Sequence, residues 1–348
     1  MLSLAFLLFL ALLQTPVTQA SSSATSTVAL NMAAEAAAKL YFGTATDNPE
    51  LTDTSYVTIL KNTAMFGQLT PANSMKWDAI EPEQNVFSFT GGDQIVTLAE
   101  ATGKIMRGHN LVWYSQLPNW VTYGSWTPET LTSVIETHVR TEVSHYAGKI
   151  YAWDVINEPF NDDGTMRADV FYSTLNTSYI SIALRTARAA DPKAKLYIND
   201  YNLEYTGPKI DAMVRLVEDL LAAGVPIHGI GFQGHFILGE VSPSQLQTNM
   251  ERFTALGLEV AVTELDVRIE LPVTDADLEQ QKADYMSVVQ TCRVVSGCVG
   301  VTVWDYTDKY SWISSTFPGY GAACPWDANL DRKPAYDGIA MGFTEYTT

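Results

Sequence analysis

The chain contains 348 residues, of which 47% are hydrophobic, and its formal net charge at pH 7 is −18. This length is ample for one sizeable core, and α/β barrels of this size form a single domain. Nucleic acids and anionic membranes need basic patches on their partners. The charge therefore argues against both as partners and fits a soluble protein with a neutral or weakly charged substrate.

The first element is an apolar run over Met1–Leu13, and a polar joint begins at Ser21. The run is too short to span a membrane, and Thr18-Gln19-Ala20 has the pattern of a signal-peptide cleavage site. We therefore predict a secretory signal peptide at residues 1–20, an extracellular location, and one folded domain over residues 21–348. A buried N-terminal helix is the alternative interpretation.

Short apolar segments alternate with helical patterns along the rest of the chain. The eight predicted strands are Leu40–Thr46, Gly67–Asn73, Lys104–Trp113, the opening of Ile150–Asn161, Lys195–Tyr201, Gly229–His235, Glu259–Val267 and Gly300–Asp305. The predicted helices are Asn31–Lys39, Tyr56–Phe66, Gly92–Thr102, Pro128–Tyr146 with Thr127 as N-cap, Ser178–Ala190, Pro208–Ala223, Ser242–Ala255, Thr274–Thr291 and Pro334–Met341.

Eight strands that alternate with helices predict an α/β fold, a single-domain (β/α)8 TIM barrel. A doubly wound open sheet is the structural alternative. That fold binds its ligand where the strand order reverses, and the first strand is not followed by Gly-x-Gly-x-x-Gly. The barrel therefore remains the favoured fold.

Two of the predicted strands deliver a glutamate toward their C-terminal ends. The fourth strand ends in Asn157-Glu158-Pro159, where the proline cannot donate to a strand ladder and so marks the start of a loop. The seventh is continuous and β-branched, as a strand buried on both faces should be, and carries Glu264. The active sites of (β/α)8 barrels lie at this end of the strands. Two carboxylates that face each other across the mouth are the catalytic pair of a glycosidase.

Other strand ends carry amides, histidines and tryptophans, which are the side chains that bind sugar hydroxyls and the apolar faces of sugar rings. Any one of these residues alone is more often structural. Their convergence at one end of the barrel is what indicates a sugar-binding site. They are Asn73, Lys76 and Trp77; His109 and Trp113; Asn157; Asn199 and Asp200; Gln233 and His235; Asp266; and Trp304 with Trp312 in the loop beyond.

Three cysteines and one glycosylation sequon complete the inventory. In a secreted chain Cys292 and Cys298, six residues apart, are candidates for a small disulfide, whereas three reduced thiols are the alternative. We expect Cys324 to be free. The cysteines and five histidines lack close ligand spacing, so no metal site is expected. Asn176-Thr177-Ser178 is a sequon, which makes Asn176 a candidate glycosylation site.

Five motifs together resemble those of family 10 glycoside hydrolases, which are secreted endo-β-1,4-xylanases. They are Trp153-Asp-Val-Ile-Asn-Glu-Pro159, Thr263-Glu-Leu-Asp266, Asn73-Ser-Met-Lys-Trp-Asp78, Arg107-Gly-His-Asn-Leu-Val-Trp113 and Thr302-Val-Trp304. The resemblance extends from about Leu40 to the C-terminus. It implies a retaining endo-1,4-β-xylanase that cleaves xylan and xylo-oligosaccharides. We expect a monomer without cofactor, and no appended carbohydrate-binding module.

The resemblance also implies a role for each matching residue. Glu158 would be the general acid/base, and Glu264 would be the nucleophile that forms a glycosyl-enzyme. Asn157 would bind the 2-hydroxyl of the sugar being cleaved. His235 would hydrogen-bond Glu264, with Asp266 behind it. Such a bond favours the ionised carboxylate, which independently suits Glu264 to attack and leaves Glu158 to carry the proton.

The remaining implied substrate-binding residues are polar groups and tryptophans. The polar ones are Gln233, His109 and Lys76, with Asn73 one sugar further out. The tryptophans are Trp304 and Trp312, which would wall the site, and Trp113, which would lie beneath it. The Cys292–Cys298 pair also matches a disulfide common in fungal members of the family.

The sequence departs from the family pattern at several positions near these motifs. Ala72 stands where many members have glutamate, which removes a hydrogen-bonding group from an outer sugar site. Tyr114 stands where histidine is frequent, and Asp305 stands where glycine is frequent and would narrow or charge the mouth.

A retaining β-1,4-glucanase is the alternative activity, although Trp304 and Trp312 would crowd the hydroxymethyl group of glucose. A barrel that binds sugar or another protein without catalysis is disfavoured because both glutamates are present.

Overall fold

Eight parallel strands close into a barrel in the computed structural model, which describes residues 26–345. The barrel strands, first to eighth, are Tyr41–Thr46, Gln68–Pro71, Ile105–Trp113, Ala152–Asn157, Lys195–Asp200, Gly229–Phe232, Glu259–Glu270 and Cys298–Val303. The first strand pairs with the second and the eighth, and the seventh pairs with the sixth and the eighth, so the sheet has no open edge. The predicted barrel fold is confirmed, and the predicted signal peptide lies outside the described residues.

Helices connect the strands and cover the outside of the barrel. The α-helices are Leu30–Ala36, Thr54–Leu60, Trp77–Ile80, Thr90–Thr102, Asn119–Thr122, Pro128–His145, Val170–Leu175, Ser178–Ala190, Pro208–Ala222, Pro243–Thr254, Asp275–Val294, Ile313–Thr316 and Pro334–Thr344, and Glu50–Thr52 is a 3-10 turn. Thr127 caps Pro128–His145 as predicted, because its hydroxyl accepts from the backbone N–H of Thr130 at 3.3 Å.

Large side chains lie over glycines of neighbouring strands on both faces of the barrel wall. Inside the barrel, a Cβ added to Gly229 would lie 2.3 Å from the ring of Tyr197, and on the outer face, beside Tyr146, one added to Gly108 would lie 2.2 Å from the ring of Trp153. Both aromatic side chains are fully buried. The interior is therefore a packed core, and only the carboxyl ends of the strands are left to form a site.

The sixth and seventh strands differ from their predicted bounds. The sixth strand ends at Phe232, because the chain turns at Gly234, which has a φ of +78°. His235–Ile237 then forms a separate short strand beside the seventh, with His235 opposite Asp266. The seventh strand continues to Glu270, three residues beyond the predicted end, and its last two residues pair with Tyr320–Gly321.

Cys292 and Cys298 form a disulfide that links the last turn of the helix Asp275–Val294 to the start of the eighth strand. Cys324 is buried and free, as expected. Asn176 is exposed at the end of a short helix, and its glycosylation stays a prediction. Within residues 26–345, no helix has the length and apolar character needed to cross a membrane.

Candidate active site

A cavity of about 620 Å³ opens at the carboxyl ends of the barrel strands. All eleven predicted catalytic and substrate-binding residues line it: Asn73, Lys76, His109, Trp113, Asn157, Glu158, Gln233, His235, Glu264, Trp304 and Trp312. Asp266 is fully buried behind His235. Residues from strands that are distant in sequence therefore converge on one space, as the strand-end pattern predicts.

Glu264 is a buried carboxylate with cationic and amide partners. Its Oε1 accepts a hydrogen bond from Asn199 Nδ2 at 2.7 Å, and its Oε2 lies 3.2 Å from His235 Nε2. His109 Nδ1 is 3.9 Å from Oε1. Burial opposes ionisation, but attraction to His109 and the bonds from His235 and Asn199 lower the pKa of Glu264 to about 2. Glu264 is therefore a carboxylate, and not an acid, at neutral pH.

His235 is held between two carboxylates. Its Nδ1 lies 2.9 Å from Asp266 Oδ2, and the same oxygen accepts from the indole N–H of Trp312 at 2.8 Å. Burial disfavours the imidazolium, but the charge of Asp266 and the bond to Glu264 raise the pKa of His235 to about 10. His235 is therefore a cation whose Nε2–H donates to Glu264. Through Asp266, Trp312 also fixes the orientation of this histidine.

Glu158 has a different environment because its side-chain partners are neutral amides. Gln233 Nε2 donates to Glu158 Oε1 at 3.0 Å, and Asn157 Nδ2 lies 3.4 Å from the same oxygen. The backbone of Glu158 is left-handed, with a φ of +54°, and its N–H donates to the carbonyl of Asn199 at 2.8 Å. A left-handed non-glycine residue is strained, and such strain is concentrated at functional sites. This conformation directs the carboxyl group into the cavity.

Asn199 connects the two glutamates, and no role was predicted for it beyond its place at a strand end. Its Nδ2 donates to Glu264 Oε1 at 2.7 Å and to Asn157 Oδ1 at 2.8 Å, while Thr263 Oγ1 donates to its Oδ1 at 2.6 Å. A Cβ on Gly231, the residue opposite Asn199 on the sixth strand, would lie 2.1 Å from Asn199 Oδ1. The absence of a side chain at Gly231 therefore makes room for this amide.

A buried ion pair supports His109 from inside the barrel. Asp154 Oδ2 lies 3.0 Å from His109 Nδ1, and Asp154 Oδ1 lies 2.6 Å from Arg107 Nη2. Arg107 stacks on Tyr197, 4.6 Å from the ring centre. The chain of contacts runs from Arg107 through Asp154 and His109 to Glu264, so the third and fourth strands contribute to the electrostatics of the carboxylate. The sequence reading assigned no role to Arg107 or Asp154.

A second polar cluster lies at the other side of the mouth. Lys76 Nζ donates to Asn73 Oδ1 at 3.1 Å and to Gln116 Oε1 at 2.6 Å, and it lies 4.8 Å from the ring centre of Trp113. Burial lowers the pKa of Lys76. The sequence reading missed Gln116 because it lies in the loop beyond the third strand. Ala72 also borders the cavity and offers no polar side chain beside this cluster.

The other two departures from the family pattern also line the cavity. Tyr114 is 39% exposed, and one face of its ring packs on the guanidinium of Arg167 at 4.1 Å. Asp305 is buried and its side chain hydrogen-bonds that of Glu50. Burial, and then the charge of Glu50, raise the pKa of Asp305 well above its usual range. Because two carboxylates in contact share a proton, Asp305 adds less charge to the mouth than a free carboxylate would.

Comparison with known proteins identifies the family. The model of glycosyl hydrolase family 10 matches residues 29–341. Endo-1,4-beta-xylanase A of Phanerodontia chrysosporium is 62% identical over 321 residues, which cover 92% of this chain and 78% of that protein. Endo-1,4-beta-xylanase of Agaricus bisporus is 55% identical over 316 residues, which cover 91% of this chain and 95% of that protein.

Solved structures give the same result. The crystal structure of a GH10 xylanase from Bispora sp. MEY-1 with xylobiose superposes with a TM-score of 0.88 at 44% identity, covering 90% of this chain and 99% of that one. The predicted family resemblance is thereby confirmed over nearly all of the described residues. The chain belongs to glycosyl hydrolase family 10.

Proposed function

We propose that this chain is a retaining endo-1,4-β-xylanase in which Glu264 is the nucleophile and Glu158 the general acid/base. The observation that carries the assignment is the difference between the two carboxyl groups. Glu264 is bonded to the cation His235 and is held ionised, whereas the carboxyl group of Glu158 accepts hydrogen bonds from the neutral amides of Gln233 and Asn157. A retaining glycosidase needs one carboxylate that attacks and one carboxyl group that gives up and regains a proton.

The reaction proceeds in two displacements. In the first, a carboxylate oxygen of Glu264 forms a bond to the anomeric carbon, the bond to the glycosidic oxygen breaks, and Glu158 donates its proton to that oxygen. In the second, Glu158 takes a proton from water, the water oxygen attacks the anomeric carbon, and the bond to Glu264 breaks. The anomeric configuration is retained because it is inverted twice.

The other cavity residues bind the sugars on either side of the cleaved bond. Asn157 donates to the 2-hydroxyl of the sugar that becomes attached to Glu264. The polar side chains that hold neighbouring hydroxyls are His109, Lys76, Gln233 and, further out, Asn73. Trp304 and Trp312 pack against the sugar rings, and their bulk disfavours the hydroxymethyl group of glucose. The relatives from P. chrysosporium and A. bisporus, both named as endo-1,4-beta-xylanases, support xylan as the substrate.

We further propose that the mature protein is secreted, acts as a monomer and uses no cofactor. The apolar N-terminal run and its cleavage pattern support secretion. Among residues 26–345, no group of three or more histidine, cysteine or acidic side chains is placed to hold a metal ion. The two-carboxylate mechanism requires none.

The test is the release of reducing ends from soluble xylan and from carboxymethylcellulose by the secreted protein, measured side by side. We expect activity on xylan far above that on cellulose, with short oligomers as products. Dominant activity on cellulose would instead identify a glucanase. The Glu264→Gln variant, prepared in the same way, controls for contaminating hydrolases and should be inactive on both polymers. A folded wild-type protein that is silent on both would overturn the proposed activity.

A further inference from the structure

A second cavity of about 410 Å³ adjoins the active site and has no assigned role. Asn202, His235 and Arg268 line both cavities, so the two spaces are neighbours at the mouth of the barrel. This second cavity, the outer groove, is bordered further by Tyr205–Gly207 and by the first residues of the helix Pro208–Ala222. A polysaccharide that lies in the active site can therefore extend a side group into this outer groove.

Arg268 stands where the two cavities meet. It lies on the seventh strand, four residues beyond Glu264, and its guanidinium packs 4.3 Å from the ring centre of Phe317 and 5.7 Å from that of Tyr320. Within the described part of the chain, the Arg268 side chain forms no ion pair, and no hydrogen-bond partner is found for its N–H groups. The two aromatic rings thus hold a planar cation in place while its donors remain unused.

The other cations of the two cavities already have partners. Lys76 donates to the side-chain oxygens of Asn73 and Gln116. Lys209 pairs with Asp200 at 2.9 Å and with Asp162 at 3.2 Å. Arg268 therefore differs from the lysines, because among residues 26–345 no acidic side chain pairs with its guanidinium.

The two carboxylates on the rim of the outer groove are not paired with Arg268. Asp162, on the rim of the outer groove, is paired with Lys209, and its side chain is 61% exposed. Glu240, on the same rim, is exposed and forms no ion pair with Arg268. As far as the described residues show, the groove thus offers a partly buried guanidinium without an ion-pair partner, and its acidic groups lie at the solvent edge.

We infer that Arg268 binds the carboxylate of a uronic acid side group carried by the xylan chain. A guanidinium presents parallel N–H donors whose spacing matches the two oxygens of a carboxylate, and such bonds are stronger than those to neutral hydroxyls. The backbone of xylan is neutral, so the carboxylate must come from a side group. This inference rests on the proposed xylanase function and adds to it a preference among xylans.

The experiment compares two polymers that differ only at the carboxyl group of the uronic acid. One is glucuronoxylan, and the other is the same glucuronoxylan after its carboxylates have been reduced to primary alcohols. The ratio of kcat/KM on the native polymer to kcat/KM on the reduced one is measured for the wild type, Arg268→Met, Arg268→Lys and Arg140→Met. Arg140 is the matched control, because its side chain is 58% exposed on an outer helix away from both cavities, where it pairs with Glu136.

We expect the ratio to fall about tenfold in Arg268→Met, the size expected for a lost hydrogen bond to a charged group. In Arg268→Lys the ratio should fall less, because lysine keeps the positive charge but lacks the parallel N–H donors of the guanidinium. In Arg140→Met the ratio should equal that of the wild type. Raising the salt concentration should lower the wild-type ratio, because the interaction is between charges near the surface.

Three results would overturn the inference. Wild-type activity on both polymers with an unchanged ratio in Arg268→Met would show that Arg268 does not contact the carboxylate, and the xylanase function would stand. An equal loss on both polymers in Arg268→Met and Arg268→Lys would show that Arg268 only maintains the shape of the cavity. A wild-type protein that cleaves neither polymer would overturn the proposed function itself and this inference with it.

Discussion

The surroundings of Glu264 and Glu158 differ although the two side chains are chemically identical and line the same cavity. Glu264 is bonded to an imidazolium that Asp266 holds in place, and it is fixed as an anion. The carboxyl group of Glu158 is bonded to the amides of Gln233 and Asn157, and within residues 26–345 no cationic side chain hydrogen-bonds it. Under the proposed assignment, the different neighbours of the two glutamates would suit them to opposite tasks.

The largest effect is expected for Glu264→Gln. The amide keeps the shape of the side chain and cannot form the covalent intermediate, so kcat/KM on xylan should fall by at least about 10⁴-fold. Glu259→Gln is the control, because Glu259 lies at the opposite end of the same strand, in contact with Lys195. That variant should keep kcat/KM near the wild-type value. Substantial activity in Glu264→Gln would refute the nucleophile assignment.

A smaller and substrate-dependent effect is expected for Glu158→Gln. Loss of a general acid typically costs 10²- to 10⁴-fold, roughly, and the cost is smaller when the leaving group needs no proton. Initial-rate measurements on xylan and on an aryl β-xylobioside with an acidic phenol should therefore diverge, with the polymer more severely affected. An equal loss on both substrates would contradict the role of proton donor.

Weakening the ion network around Glu264 should change the pH dependence. His235→Gln removes the cation next to Glu264, so the pKa of the carboxylate should rise and the acidic limb of the kcat/KM profile should move upward by at least about one pH unit. His145→Gln is the control, since His145 pairs with Asp93 outside the cavity. An unmoved acidic limb in His235→Gln would show that this histidine does not set the charge of Glu264.

His235→Gln should also change the pH dependence of the thermal stability. The pKa of Glu264 is depressed to about 2, so its contribution is present above its ordinary value of 4.5 and is lost as the pH falls. The pKa of His235 is raised to about 10, so its contribution is complete below 6.5 and is lost as the pH rises toward 10. The difference in Tm between wild type and His235→Gln should therefore be largest between pH 4.5 and 6.5. A difference that grows above pH 7 would contradict it.

The smallest of these effects is expected for Asn199→Ala, which removes one amide shared by both halves of the site. Loss of a hydrogen bond to a charged group costs about 1.5–3 kcal/mol, so kcat/KM should fall roughly tenfold to a hundredfold. Asn249→Ala is the comparison, because Asn249 is a buried amide that donates to the carbonyl of Leu203 away from the cavity. It should lower the Tm and leave kcat/KM largely intact. An unchanged kcat/KM in Asn199→Ala would show that the amide of Asn199 does not couple the two glutamates.

The sequence predicted the barrel and the residues of its mouth because both follow from local patterns. A buried strand shows a run of apolar residues, and the polar residue that ends the run must lie at the carboxyl edge. Glu158, Glu264 and His235 were identified in this way. The sixth strand was predicted to end at His235, but it ends at Phe232. The residue pattern does not show the left-handed turn at Gly234 that ends the strand.

The roles of other residues depend on distances between strands, which local patterns do not contain. Asn199 was visible at a strand end, but its two bonds depend on the pairing of Asn157 with Asn199 and on the space above Gly231. Asp154 lies inside an apolar strand, where it was read as part of a motif and not as the partner of His109. Arg268 lies one residue beyond the predicted end of the seventh strand, although the observed strand continues through it to Glu270 and its guanidinium packs on the ring of Phe317.

The most direct test of the central claim is rescue of the two alanine variants by azide, with an aryl β-xylobioside as substrate. If Glu264 is the nucleophile, Glu158→Ala still forms the glycosyl-enzyme, and azide attacks it to give the β-glycosyl azide. Glu264→Ala leaves a space on the opposite face, and azide should give the α-glycosyl azide there. NMR of the products distinguishes the two anomers. The reverse pattern would exchange the roles of the two glutamates and contradict the account.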